Sequence, residues 1–140
     1  MSEETATLLI VDDEEMVLTS LSAFLMLETD YNVETFTSAN AALEYARQNR
    51  FDLVISDYLM PEMDGISLLG QLKDILPEAP RILLTGYADK ENAIKGINEV
   101  GLFQYIEKPW DNEQLRLVIR NGLEKQMLLS QLQEKIGEIN

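Results

Sequence analysis

The chain contains neither cysteine nor histidine. The first absence excludes disulfides, thiol nucleophiles and thiolate-bound metal. The second removes the usual general base and the commonest transition-metal ligand. Any resident metal must then be a hard cation held by oxygen, Mg²⁺ or Ca²⁺. Basic residues are scarce as well. Eleven Lys and Arg face 25 Asp and Glu, a net charge of 11 − 25 = −14 over 140 residues. Such a surface repels phosphate backbones and anionic lipid, so no direct nucleic-acid or membrane-surface binding is expected. No apolar run approaches the roughly 20 residues that span a bilayer. The acidic start MSEETAT lacks the basic and apolar regions of a signal peptide. The expectation is a cytoplasmic protein. At 46% hydrophobic and 26% charged, the composition suits one globular domain with a modest extension.

What is present is organised around Phe51–Gly65, FDLVISDYLMPEMDG. Its apolar run Leu53-Val54-Ile55 reads as a strand buried on both faces. The run stops at Asp57, and Pro61 and Asp64-Gly65 supply the turn that starts a helix. A carboxylate at the carboxyl end of a parallel strand lies where open α/β sheets bind ligands. A lone Asp there is also an ordinary turn cap.

The rest of the chain repeats the alternation. Thr7–Val11 is a strand, followed by Val17, Leu18, Leu21, Phe24, Leu25 and Leu27 at helical spacing, with Asp13 as N-cap. Tyr31–Phe36 is a second strand, and Ser38 caps a helix with Leu43 and Ala46 inward. The helix after Asp57 runs from Gly65 to Leu76, with Ile66, Leu69, Leu72 and Leu76 on one side. Arg81–Leu84 is the fourth strand. A helix over Asp89–Val100 contains Gly96, which costs about 1 kcal/mol relative to Ala. Leu102–Ile106 is the fifth strand, and a last, extended helix begins near Asp111. Five strands alternating with five helices predict an α/β fold, a parallel sheet with helices on both faces.

In such a sheet all carboxyl ends share one edge. Asp12-Asp13, Asp57, Thr85 and Lys108 follow strands one, three, four and five. Singly, each reads as a cap, a strand threonine or a solvated lysine; the coincidence is the signal. Clustered carboxylates repel by about 4 kcal/mol per pair at 4 Å and an effective dielectric of 20. A divalent cation among them relieves this, and Mg²⁺ suits a site that leaves positions for water and substrate oxygens. A carboxylate nucleophile, a metal, a lysine and a hydroxyl donor are what phosphoryl transfer requires.

The motifs IVDDE, SDYLMPEMDG, LLTGYAD and YIEKPW, each at a strand end, resemble the receiver domain of two-component response regulators, the CheY-like family. The resemblance covers about Thr7 to Leu123. It implies the flavodoxin-like strand order 2-1-3-4-5. It also implies that Asp57 accepts a phosphoryl group from a sensor histidine kinase or phosphotransfer protein. Asp13 and Asp57 would bind Mg²⁺ directly, Asp12 largely through water, and the Leu59 backbone carbonyl would complete the protein's share. Thr85 and Lys108 would hold phosphoryl oxygens, Tyr105 would be the aromatic switch, and the peptide before Pro109 would be cis. The domain would be no stand-alone enzyme, catalysing only its own phosphotransfer and autodephosphorylation. Bulky Leu59 and Tyr87 would flank the approach to the phosphoryl group and slow its hydrolysis.

Residues 1–124 would form the receiver. Residues 125–140 would be a helical extension, either a frayed tail or a coiled-coil linker that pairs two chains as a homodimer and leads to an output domain not contained in this sequence. By analogy, LLTGYAD with KPW points to HD-GYP phosphodiesterases or enhancer-binding transcription factors. Three other readings compete. A Mg²⁺-dependent phosphatase of the haloacid dehalogenase type would carry an Asp where Leu59 stands. A flavin carrier would need a Ser/Thr/Gly-rich loop where Asp12–Glu15 stand. A phosphorylation-independent interaction module would keep the fold without the switch.

Overall fold

The computed structural model describes residues 6–86 and 89–139. Strands and helices alternate as β1 (Thr7–Val11), α1 (Glu15–Glu28), β2 (Asn32–Phe36), α2 (Ala39–Gln48), β3 (Leu53–Asp57), α3 (Gly65–Ile75), β4 (Arg81–Thr85), α4 (Lys90–Val100), β5 (Gln104–Glu107) and α5 (Asn112–Ile139). All strand pairs are parallel, in the order β2-β1-β3-β4-β5. Among the described residues, no helix is long and apolar enough to cross a membrane.

The two-residue period of the strands divides the core. Leu9, Val11, Val54 and Leu83 point to one side, where α2, α3 and α4 supply Ala42, Leu43, Leu68, Leu69, Leu72 and Ala93. Leu8, Ile10, Leu53, Ile55, Ile82, Leu84 and Ile106 point to the other, against Leu18, Leu21 and Leu25 of α1 and Leu115, Val118 and Ile119 of α5. β3 and β4 are buried along their whole length, so neither can use the apolar-polar alternation of a half-exposed strand. A buried arginine, Arg81, ties the far edge of the sheet together. It donates to the carbonyls of Pro77 (3.3 Å), Ala79 (3.1 Å) and Gly101 (2.9 Å).

Several expectations need correction. The N-cap of α1 is Glu14, with no side-chain cap bond, rather than Asp13. Asp12 takes over at this turn, accepting the Glu14 N–H at 2.9 Å. Leu27 is 83% exposed; two positions past buried Leu25, it lies on the opposite face of the helix. The inward set of α3 includes Leu68, which the expected stripe omitted. Leu76 is its C-cap, packed at the margin of the core. β5 starts at Gln104 because Leu102 and Phe103 are apolar for packing, one against each core, and lie in the connection ahead of the strand. Ser38 caps α2 as expected, accepting the Ala41 N–H at 3.1 Å. Gly96 has a packing reason: a Cβ there would overlap the Ile66 side chain of α3.

Candidate functional site

Strand register assembles the site. Val11 of β1 pairs with Ser56 of β3, so Asp12 and Asp57 are the next residues along adjacent strands. Asp57 pairs with Leu84, which puts Thr85 one residue further along the same edge. Thr85 pairs with Glu107, and the Lys108 N–H donates to the Thr85 carbonyl at 2.8 Å. The Lys108–Pro109 peptide is cis. The β3–α3 loop returns to its start because the Gly65 N–H donates to the Tyr58 carbonyl at 2.7 Å. Gly65 lies so close to the Asp57 carbonyl that a Cβ would overlap it. Asp64 then caps α3 by accepting the Ser67 N–H.

Lys108 Nζ lies 2.9 Å from Asp57 Oδ1 and 3.0 Å from Asp12 Oδ2, with Glu14 Oε1 at 3.9 Å. Asp12 is fully buried, and the Asp57 side chain keeps 10% of its surface accessible. Carboxylate oxygens of Asp12, Asp13 and Asp57 all lie within 4.8 Å of one another. Burial pushes the Asp57 carboxyl up to about 6, and the Asp12 charge adds to this, while the hydrogen bond and charge of Lys108 and the Tyr58 N–H oppose it. For Lys108, burial acts to lower the pKa, but hydrogen bonds and charge from Asp57 and Asp12 together raise it. Three carboxylates with one ammonium remain short of positive charge. The donors are all oxygen, so the set fits a hard divalent cation.

The structure thus brings Asp12, Asp13, Asp57 and Lys108 into one pocket, with Thr85 on the same edge. The Thr85 hydroxyl, wholly buried, donates to its neighbour's carbonyl, Gly86 O, at 3.2 Å. Tyr105 is half-buried against the core on the α2–α4 side. Leu59 is 59% exposed. Tyr87 lies outside the described residues. Trp110 donates to Asn112 Oδ1 and packs on the α1–α5 side.

The strand-end grouping already places Asp12 and Lys108 on one edge, and a direct bridge joins them across 96 positions. One feature escapes sequence reasoning: Glu62, whose carboxylate accepts from Ser38 Oγ and from the Asn40 N–H at the start of α2. The hydrogen bond from Ser38, then that from Asn40, holds Glu62 below the usual carboxylate range. No local pattern signals a cap contributed by another segment.

The family profile described as "Response regulator receiver domain" matches residues 8–120. HoxA, a hydrogenase transcriptional regulatory protein of Cupriavidus necator, is 35% identical over 128 residues, 91% of this chain and 26% of its own. ZraR, a transcriptional regulatory protein of Escherichia coli, is 35% identical over 123 residues, 88% of this chain and 27% of its own. The chain thus spans about a quarter of the length of these curated relatives. The signal receiver domain of an HD domain-containing protein from Pseudomonas fluorescens Pf-5 superposes with a TM-score of 0.83 at 36% identity, covering 88% of this chain and 98% of that one. With the acidic pocket at the carboxyl edge of a 2-1-3-4-5 sheet and a profile match across that whole sheet, the chain belongs to the response regulator receiver domain family.

Proposed function

We propose that Asp57 is the phosphoacceptor of this receiver, with the phosphoryl group supplied by a sensor histidine kinase or a phosphotransfer protein. A carboxylate oxygen attacks phosphorus, the O–P bond forms as the donor's P–N bond breaks, and the donor imidazole leaves carrying a proton. The observation that carries this reading is the Lys108 ammonium, 2.9 Å from Asp57 Oδ1. It is a fixed cation beside the oxygen that would bear the new group, where charge shifts during transfer. Receiver domains of this family bind Mg²⁺ and interact with histidine kinases and output domains. Here Asp13 and Asp57 would hold the ion directly, with Asp12 acting through water and the Leu59 carbonyl as the backbone ligand. When bound, it would supply countercharge to the phosphoryl oxygens.

The switch then starts from Thr85. Its hydroxyl donates to Gly86 O, and it would exchange that acceptor for a phosphoryl oxygen, leaving room for half-buried Tyr105 to turn inward. Hydrogen bonds to charged groups are worth about 1.5–3 kcal/mol each, so Thr85 and Lys108 together supply roughly 3–6. Moving a population from 1:99 to 99:1 takes about 5.5 kcal/mol. Only the upper end of that range reaches the requirement, and Lys108 already holds Asp57 at 2.9 Å, so the switch works without surplus. The domain's only catalysis would be its own phosphorylation and dephosphorylation. Incubation with Mg²⁺ and acetyl phosphate tests this: the wild type gains the mass of one phosphoryl group and Asp57→Asn does not. An inert wild type would refute the reading and favour the phosphorylation-independent module.

The same reading divides the chain into a receiver, residues 1–124, and a helical linker, residues 125–140, toward an output domain. In support, α5 runs 28 residues, about 42 Å at 1.5 Å per residue. Leu115 and Val118 of α5 are buried against the sheet, whereas Leu128 and Leu132, further along the helix, are 66% and 57% exposed. Within α5, Glu113, Glu124, Glu134 and Glu138 balance Arg116, Arg120, Lys125 and Lys135. On a chain of net charge −14 this balance keeps two copies of α5 from repelling each other strongly. A homodimer seen by light scattering that dissociates in Leu128→Glu/Leu132→Glu supports pairing through α5; a monomeric wild type would exclude it.

A further inference from the structure

The seven residues Tyr58–Asp64 form a loop whose two ends are fixed against each other. The Gly65 N–H binds the Tyr58 carbonyl, and Gly65 abuts the Asp57 carbonyl. Met60 and Met63 lean on the core, but Leu59 between them and Asp57 is mostly exposed. The tip needs a polar fastener, and Glu62 is placed to provide one. Ser38 Oγ lies 2.9 and 3.1 Å from the two Glu62 carboxylate oxygens, and the Asn40 N–H donates to Glu62 Oε1 at 3.2 Å. Ser38 Oγ in turn accepts the Ala41 N–H, so one chain of hydrogen bonds runs from the first turn of α2 into the loop. The unpaired N–H groups and positive end of that helix are a natural seat for a carboxylate.

We propose that Glu62, bound to Ser38 Oγ and the Asn40 N–H, is a positioning residue that clamps the β3–α3 loop to α2 and so sets the metal-binding geometry of Asp57 and Leu59. The inference rests on the phosphoacceptor reading, because only there does the loop carry a ligand. It gives Glu62 a role beyond capping. The loop alone bridges Asp57 to α3, so slack at its tip is slack in the spacing between a strand carboxylate and a backbone carbonyl. A cation such as Mg²⁺ tolerates little of that.

The test uses the full chain and Mg²⁺ alone as probe. Dissociation constants are read from Trp110 emission, amide exchange is followed over residues 58–65 in the metal-free protein, and acetyl phosphate labelling serves as a separate control. Glu62→Ala is expected to weaken Mg²⁺ binding about three- to tenfold and to speed exchange in the loop. Ser38→Ala should do the same, and the double variant should be no worse than either single one, since both remove one clamp. Glu62→Gln, which keeps an acceptor oxygen, should restore most of the affinity. Lower thermal stability with unchanged Mg²⁺ affinity and loop exchange would reduce Glu62 to a cap on α2 and overturn the inference. Additive effects of the two single variants would overturn it too. A wild type that neither binds Mg²⁺ nor takes a phosphoryl group would remove the phosphoacceptor reading and this inference with it, whereas a labelled wild type beside an unchanged Glu62→Ala removes the inference alone.

Discussion

Lys108 Nζ sits 2.9 Å from Asp57 Oδ1 and is itself largely buried, so the β5 terminus holds a cation against the one carboxylate that ends β3. Because Asp12 Oδ2 binds the same nitrogen at 3.0 Å, the ammonium has little freedom to follow a different partner. Replacing it leaves the acidic pocket with no fixed cation. Lys108→Ala is therefore expected to slow labelling by acetyl phosphate about 100-fold or more, as for loss of one preorganised donor to developing charge. A rate within tenfold of wild type, measured by mass spectrometry at saturating Mg²⁺, would show that Lys108 is only an ion-pair partner.

The raised Asp57 carboxyl makes a pH prediction for the metal-free protein. Its value moves from 3.8 to about 6 on folding, so the folded state keeps a proton that the unfolded chain gives up. The resulting stabilisation is fully present below 3.8 and is lost as pH rises through about 6. Two pH units at about 1.4 kcal/mol each set an upper limit near 3 kcal/mol. With some solvent reaching the side chain, the expected loss is on the order of 2 kcal/mol. Asp57→Asn should thus be more stable than wild type at pH 7 and equal to it below pH 4, by urea unfolding in chelator. Added Mg²⁺ competes with that proton, so its apparent affinity should fall as pH drops below about 6. A flat difference between the two proteins from pH 4 to 7 would contradict both statements.

The framework was legible in the sequence because its signals are local. Thr7–Val11 has the bounds expected from its apolar run, and Ser38 caps α2 through a contact three residues on. The four strand-end positions could be grouped before any coordinates, since a parallel sheet delivers all its carboxyl ends to one edge. Legibility failed where packing or distant partners decide. Leu102 and Phe103 look like strand residues but fill the two cores from a connection. Gly96 carries a helix-propensity cost in the sequence, while its cause, the Ile66 side chain, lies on another helix. Glu62 is an anonymous acid in the sequence, and its partner Ser38 is 24 residues away.

Leu59 follows Asp57, the proposed phosphoacceptor, by two positions, is 59% exposed, and has a side chain that can neither donate nor accept a hydrogen bond. A water approaching the phosphoryl group from that side would find no partner. Leu59→Asn adds one. A single new hydrogen bond worth about 1 kcal/mol in the transition state corresponds to roughly a fivefold faster loss of the label. The check is the decay of phosphorylated protein after removal of acetyl phosphate. An unchanged half-life would mean that Leu59 does not control access of water.

Thr85 separates chemistry from response. Its hydroxyl donates to Gly86 O at 3.2 Å, and its proposed contact to a phosphoryl oxygen forms only once the group is in place. Thr85→Ala should accept the phosphoryl group at a rate within a few-fold of wild type. The same substitution removes one of the two contacts proposed to drive the switch, about 1.5–3 kcal/mol of a requirement near 5.5. With roughly half the driving force gone, the phosphorylated variant should reach at most about equal populations of the two states. Backbone NMR shifts of α4 and β5 on phosphorylation, or on addition of beryllofluoride, report this directly, with Tyr105 ring resonances as the local probe. Shifts as large as those of wild type would show that the response does not pass through the Thr85 hydroxyl, and the coupling would then have to run from Lys108 along β5.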